Sequence, residues 1–315
     1  MKPRGRAIEF AEAMLVAAGL ALIPLLPRRG VVALARWLGV LAFRLSRRDR
    51  RIATANVELA FGASRTEAEK RAIVRESFEV MALVLLDVFW FQRRTAARLR
   101  RHVSFDASYH AHCAPHAPCI LVTAHYGNWE ATGLAVALDG PPLHSVAAPL
   151  KNRYVDAMLA HARNLTGQQV VPRRGAVKAL LRVLHGGGRT AFLMDQNTLP
   201  DEGGQFVAFF GRPVPVSGAA EMLALRTGAP VVFGYSVVDD SGNYVVHCLP
   251  TLFPGAGGPG ITQRTTGMLE DLLRQRPGQW LWMYKRWKFV PPGADGTQYP
   301  YYARPLVEGK RGDRT

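Results

Sequence analysis

The stretch "CILVTAHYGNWEA", residues 119–131, reads in three parts. Cys119 to Ala124 is a short apolar run of strand length, Gly127 and Asn128 are turn formers, and from Trp129 the apolar residues return in a helical pattern as far as about Leu138. On one continuous helix His125 and Glu130 would point about 140° apart. The two can meet only if His125 ends a strand, Tyr126 to Asn128 turn, and Glu130 opens the following helix. Gly127 is the residue that permits so tight a turn.

A buried strand that feeds directly into a helix is the unit of a parallel sheet, and the rest of the chain repeats it. "LHSVAAPL" reads as a strand followed by a helix from Val155 to Asn164, and "QQVVP" as a strand followed by a helix from Ala176 to Leu184. "RTAFLMD", "PVVFGYSVVDD" and "YVVHCLP" supply further strands, and helices are expected from Gly218 to Thr227 and over Met268, Leu269, Leu272 and Leu273. The predicted fold is α/β, a central mostly parallel or mixed sheet flanked by helices, with a membrane-associated helical segment at the amino terminus. Chemistry in such sheets gathers at the carboxyl edge of the strands, where His125 lies. Asp195 and Gln196 close the strand "RTAFLMD" and reach the same edge if the strands are parallel.

At that edge the Glu130 carboxylate can accept a hydrogen bond from one imidazole nitrogen and leave the other as a base. No G-x-S-x-G elbow or plausible catalytic cysteine accompanies the pair, which argues against an acyl-enzyme and favours deprotonation of a hydroxyl brought by the substrate. The cluster "YHAHCAPHAPC", with His110, His112, Cys113, His116 and Cys119, does not have the spacing of a zinc site. Neither a metal nor a cofactor is expected.

The chain has 315 residues, 48% of them hydrophobic, enough for one substantial core, and a net charge of +16 that calls for an anionic partner. Three cysteines without a framework suit a reducing compartment. Two apolar stretches, Ala13 to Pro27 and Val31 to Leu45, fall short of the ~20 residues of a simple span. They leave a tilted single span or an interfacial helix open. Arg44, Arg47, Arg48, Arg50 and Arg51 follow at once, as expected of a segment drawn to anionic lipid. Residues 1–51 are expected to form the anchor, 52–305 the α/β domain and 306–315 a polar tail. Ser64 and Glu67 have the spacing of a capping box for a helical stretch that continues to about Arg101. "FVAFFG" with Gly211, Pro213 and Pro215 reads as a wall of an acyl tunnel. "WLWMYKRWKF" interleaves aromatics with Lys285, Arg286 and Lys288, but no RNA-binding module surrounds it, so phosphorylated headgroups rather than nucleic acid are the expected ligand.

Together "AHYGNWE", "MDQ" at 194–196, "FVAFFGRPVPVSGA" and "WLWMYKRWKF" resemble the bacterial lipid A biosynthesis lauroyl/myristoyl acyltransferase family, within the lysophospholipid acyltransferase superfamily. The resemblance runs from the amino-terminal apolar segment through "RRIATANVELAFG" to about Phe289. It implies transfer of a fatty acyl chain from an acyl thioester, on acyl carrier protein rather than coenzyme A by preference, to a hydroxyl of a lipid A precursor, an anionic glycolipid, at the cytoplasmic face of the inner membrane. Relatives in the same superfamily acylate phosphatidylinositol mannosides, so that acceptor stands as an alternative, as does an inactive membrane-binding adaptor. By position the resemblance makes His125 the base and Glu130 its orienting partner. It places Asn128 and Arg163 near substrate, beside Asp195, Gln196, Arg286 and Lys288.

Overall fold

The computed structural model describes residues 6–113, 117–147, 152–172, 175–255 and 257–306. Its amino-terminal part is helical: α1 (Arg6–Leu22), α2 (Arg28–Leu45), α3 (Arg47–Phe61), α4 (Glu67–Trp90) and α5 (Thr95–His102). Thr66, not Ser64, caps α4: its side chain accepts from the Glu69 backbone while the Glu69 carboxylate accepts from the Thr66 N–H. The box lies two residues beyond its expected place because the Ser64 hydroxyl is already bonded to the Phe61 carbonyl. The stretch is also two helices rather than one, since Arg94 adopts a left-handed conformation (φ 53°) before α5.

The remaining elements alternate as the sequence predicts. They are β1 (Val103–Phe105), α6 (Ala107–His112), β2 (Cys119–Thr123), α7 (Trp129–Asp139), β3 (Leu143–Ala147), α8 (Arg153–Thr166), β4 (Gln168–Pro172), α9 (Ala176–His185) and β5 (Arg189–Leu193). A hairpin, β6 (Gly204–Phe209) with β7 (Arg212–Ser217), leads to α10 (Ala219–Thr227), then β8 (Val231–Val238), β9 (Tyr244–Cys248), α11 (Ile261–Gln275), β10 (Phe289–Val290) and β11 (Arg304–Pro305). The central sheet has seven strands in the order β1-β9-β8-β2-β5-β3-β4. Every neighbouring pair is parallel except β8 and β9. This is a mixed α/β fold with helices on both faces. β2 lies inside the sheet, which is why its sequence is an unbroken apolar run.

Alternate residues of β2 face two separate cores. Ile120, Val122 and Ala124 pack with α9, α10, α11 and three buried tryptophans, Trp280, Trp282 and Trp287. Cys119 and Leu121 pack with α7, α2 and the second half of α4. The β6–β7 hairpin belongs to the first core: Phe209 stacks on Trp287 at 5.4 Å, and Phe210 meets Phe61 edge-on. These aromatics are core, and the expectation that they wall an acyl tunnel is not met. α6 takes in His110 and His112 of the His–Cys cluster; His116 lies outside the described residues. No group of three potential metal ligands occurs among the described residues.

No described helix is long and apolar enough to cross a membrane. α2 lies along α4 with Val31, Val32 and Ala35 buried. Leu15, Leu22, Leu25, Trp37 and Leu45, by contrast, are each more than 60% exposed.

Candidate active site

β2 delivers His125 to the carboxyl edge of the sheet, and the turn after it is held from three sides. Gly127 has φ +57°, and a Cβ there would stand 2.0 Å from the Ser236 carbonyl oxygen, so no other residue fits. The Gly127 N–H donates to Gln279 (2.9 Å), and Leu281 N–H donates to the His125 carbonyl (3.1 Å). The block that begins at Gln279 is thus laced to the histidine turn.

The imidazole partner is Asp195. β2 and β5 run parallel with Thr123 opposite Leu193, so the residues that follow each strand meet at one edge. Asp195 Oδ1 accepts from His125 Nδ1 (2.8 Å), and Oδ2 accepts from the His125 backbone N–H (2.8 Å) and from Trp280 Nε1 (2.7 Å). Glu130, expected in that role, instead accepts from Arg163 Nη2 through both oxygens, at 2.8 and 3.0 Å. The reason is geometric: Asp195 arrives beside Nδ1 at the end of a neighbouring parallel strand, while Glu130 on the first turn of α7 faces α8. Glu130 acts on the imidazole through its charge alone.

Burial by itself would lower the His125 pKa, but the charge and hydrogen bond of Asp195, aided by Glu130, outweigh it and hold the pKa above the ordinary imidazole value. Burial likewise works to raise the Asp195 pKa. It is overcome by the His125 charge and by hydrogen bonds from the ring, the indole and the backbone, which hold it below the ordinary carboxylate range. With Nδ1–H committed to Asp195, the His125 lone pair is on Nε2, and 3.4 Å from it lies the amide nitrogen of the exposed Gln196. Trp129 packs edge-on against the ring at 4.6 Å between centroids. The arrangement fixes the tautomer and leaves Nε2, next to the Gln196 amide, able to accept a proton.

Three other expected site residues sit differently. Asn128 is buried and fully used: its side-chain oxygen caps α7 through the Ala131 N–H, and its Nδ2 donates to Asp87 (3.0 Å) and to the Tyr244 hydroxyl (3.1 Å). It holds the turn and has no atom left for substrate. Arg286 is only 1% exposed and donates from Nη1 to Asn197 Oδ1 and the Pro215 carbonyl, with burial pulling its pKa down to about 10. It braces the interior and presents no charge to a headgroup at the surface, because it points inward from a tightly packed tryptophan segment. Lys288 is half-buried, its ammonium 5.0 Å from the Phe289 ring.

Sequence reasoning missed two contributors. Trp280 reads as one more core aromatic, and only its indole N–H distinguishes it. Asp87 carries a clearer signal, a lone acid in the apolar run "LVLLDVFW"; it ion-pairs with Arg28 of α2 and accepts from Tyr244 and Asn128.

Beside His125 a cavity opens between α7 and the face of the sheet that carries Leu121 and Ala191. It extends from Thr123, Trp129 and Glu130 toward Leu143 and Val136, and its surface is mostly apolar. The site therefore joins an activated imidazole to a slot suited to an alkyl chain.

Residues 1–289 match the family model for bacterial lipid A biosynthesis acyltransferases. The chain is 25% identical to the lipid A biosynthesis lauroyltransferase of Escherichia coli (strain K12), over 86% of this chain and 90% of that one. It is 22% identical to the lipid A biosynthesis acyltransferase of Haemophilus influenzae, over 82% and 81% respectively. Among solved structures, the 1-acyl-sn-glycerophosphate acyltransferase of Thermotoga maritima aligns with a TM-score of 0.37 and 12% identity, over 79% of this chain and 99% of that one. This chain belongs to the bacterial lipid A biosynthesis acyltransferase family and is an O-acyltransferase.

Proposed function

We propose that the protein moves a fatty acyl chain from an acyl carrier protein thioester to a hydroxyl of a lipid A precursor at the cytoplasmic face of the inner membrane. The observation that carries this reading is the His125–Asp195 pair, whose neighbours Thr123 and Trp129 line one end of a largely apolar cavity. The cavity takes the acyl chain and places the thioester carbonyl near Nε2. Nε2 removes the proton of the acceptor hydroxyl as its oxygen attacks the carbonyl carbon. The C–S bond then breaks, and the imidazolium returns the proton to the departing thiolate. Asp195 stabilises the imidazolium between those steps, as the carboxylate of a serine-protease triad does. The developing oxyanion lies toward the amino end of α7, the positive end of its dipole.

Membrane attachment is interfacial in this proposal. The exposed leucines and Trp37 of α1 and α2 enter the lipid surface, while Arg44, Arg47, Arg48 and Arg51, all exposed, meet anionic headgroups. Purified protein offered the same acyl chain on acyl carrier protein and on coenzyme A, with a phosphorylated lipid A precursor and a phosphatidylinositol mannoside as acceptors, tests the reading by mass spectrometry of the lipids. The expected product is the acylated lipid A precursor made from the carrier-protein donor. Exclusive acylation of the mannoside, or free fatty acid alone, would replace this reading with another acceptor or with hydrolysis.

A further inference from the structure

The cavity beside His125 is not uniformly apolar. Seven buried side-chain polar atoms among the described residues have no hydrogen-bond partner, and three of them, Thr123 Oγ1, Arg163 Nε and Gln168 Oε1, belong to residues that line this cavity. Gln168 is the best defined. It is 7% exposed, opens β4, and spends its amide nitrogen on Ser145 Oγ at 2.9 Å, leaving the oxygen bare. Across from it α7 has Gly133, where a Cβ would lie 3.5 Å from that oxygen and pack against it, so only a glycine leaves that side of the amide without a side chain.

A plain alkyl chain that fills the cavity would give these atoms nothing. A hydroxyl on the chain is both donor and acceptor. It can donate to Gln168 Oε1, or accept from the amide nitrogen if the amide is turned the other way about, and it can equally accept from Arg163 Nε. We infer that the cavity selects a monohydroxylated fatty acyl chain and that Gln168 reads the hydroxyl. This rests on the assignment of the cavity to the acyl donor and names the substrate class that the assignment leaves open.

The test is a competition for one acceptor between acyl carrier protein thioesters of equal carbon number. One donor is unsubstituted, and the others carry a single hydroxyl close to the carbonyl, in mid-chain or at the chain end. The full-length protein is expected to use one hydroxylated donor at least about tenfold faster than the unsubstituted chain, the discrimination one buried hydrogen bond supplies. Gln168→Leu should reverse the order, slowing the hydroxylated donor and speeding the plain one, because the apolar side chain removes the bare oxygen. A protein that merely misfolds loses both activities, so Gln168→Met, closer to glutamine in shape, is measured alongside and should reverse the order in the same sense. Three results overturn the inference: no preference at any hydroxyl position, equal losses on all donors in both folded variants, or a preference that survives both. Absence of transfer from every donor by the native protein would instead overturn the acyltransferase reading of the site.

Discussion

At the scale of single residues the chemistry turns on which carboxylate holds the imidazole. Asp195 accepts three N–H groups, two of them on Oδ2. In Asp195→Asn the lone amide oxygen is drawn to the two donors at the Oδ2 position, so the NH₂ faces Nδ1 and forces the ring proton onto Nε2. That is the wrong tautomer for a base, and kcat should fall by about 10²- to 10⁴-fold. The pH dependence follows in sign. His125 must be neutral to act, and its pKa is raised, so native activity should be lost as the pH falls through a value above 6.5. Without the Asp195 charge, burial dominates and the residual acidic limb should move to lower pH. Glu130→Gln keeps an acceptor for Arg163 and should lower kcat less than Asp195→Asn does. A pH–rate profile for each variant measures both effects, and a larger loss for Glu130→Gln would reassign the partner. His125 and the edge it shares with Asp195 were legible from a strand that ends in histidine and a second that ends in aspartate. The hydrogen bond itself was not, because sequence proximity favoured Glu130 while strand register, a long-range property, favoured Asp195.

Elements place these residues by register and by buried polar ties. The strand, turn and helix of residues 119–139 form as their composition predicts, since the apolar run, the turn formers and the helical spacing all agree there. The β6–β7 hairpin was harder to read: Phe210 and Gly211 take the left-handed conformations of a tight turn, and two prolines sit in β7, one strand of a two-stranded ribbon. Gly127→Ala should cost at least about 2 kcal/mol in denaturant unfolding, from the left-handed conformation and the clash with the Ser236 carbonyl. Asp87 ties α4 to α2, to β9 and to the histidine turn. Asp87→Ala leaves Arg28, itself 8% exposed, as a buried charge without its partner, and a loss of about 3–5 kcal/mol is expected. An unfolding midpoint unchanged from the native protein would show that Arg28 has another outlet.

Across the whole molecule the amino-terminal helices belong to the core as well as to the proposed membrane contact. Their apolar content leads to the expectation of a membrane anchor, yet Val31, Val32 and Ala35 are core, and Arg28 reaches the network behind the active-site turn. Removal of residues 1–51 would therefore unfold more than an anchor. A cleaner test replaces Leu22, Leu25 and Trp37 with serine. All three are more than 60% exposed, so thermal stability should barely change, while binding to anionic vesicles in a sedimentation assay should weaken by at least about a hundredfold, given roughly 1.5–3 kcal/mol per buried apolar side chain. Unchanged sedimentation would place the membrane contact elsewhere. The central claim, that His125 is the base for direct acyl transfer to a lipid hydroxyl, is tested most directly by the rate at which folded His125→Ala acylates the lipid A precursor at saturating donor. Its far-ultraviolet spectrum and melting temperature should match those of the native protein, and its rate should be lower by about 10²- to 10⁴-fold. A folded His125→Ala protein that turns over at the native rate would contradict it.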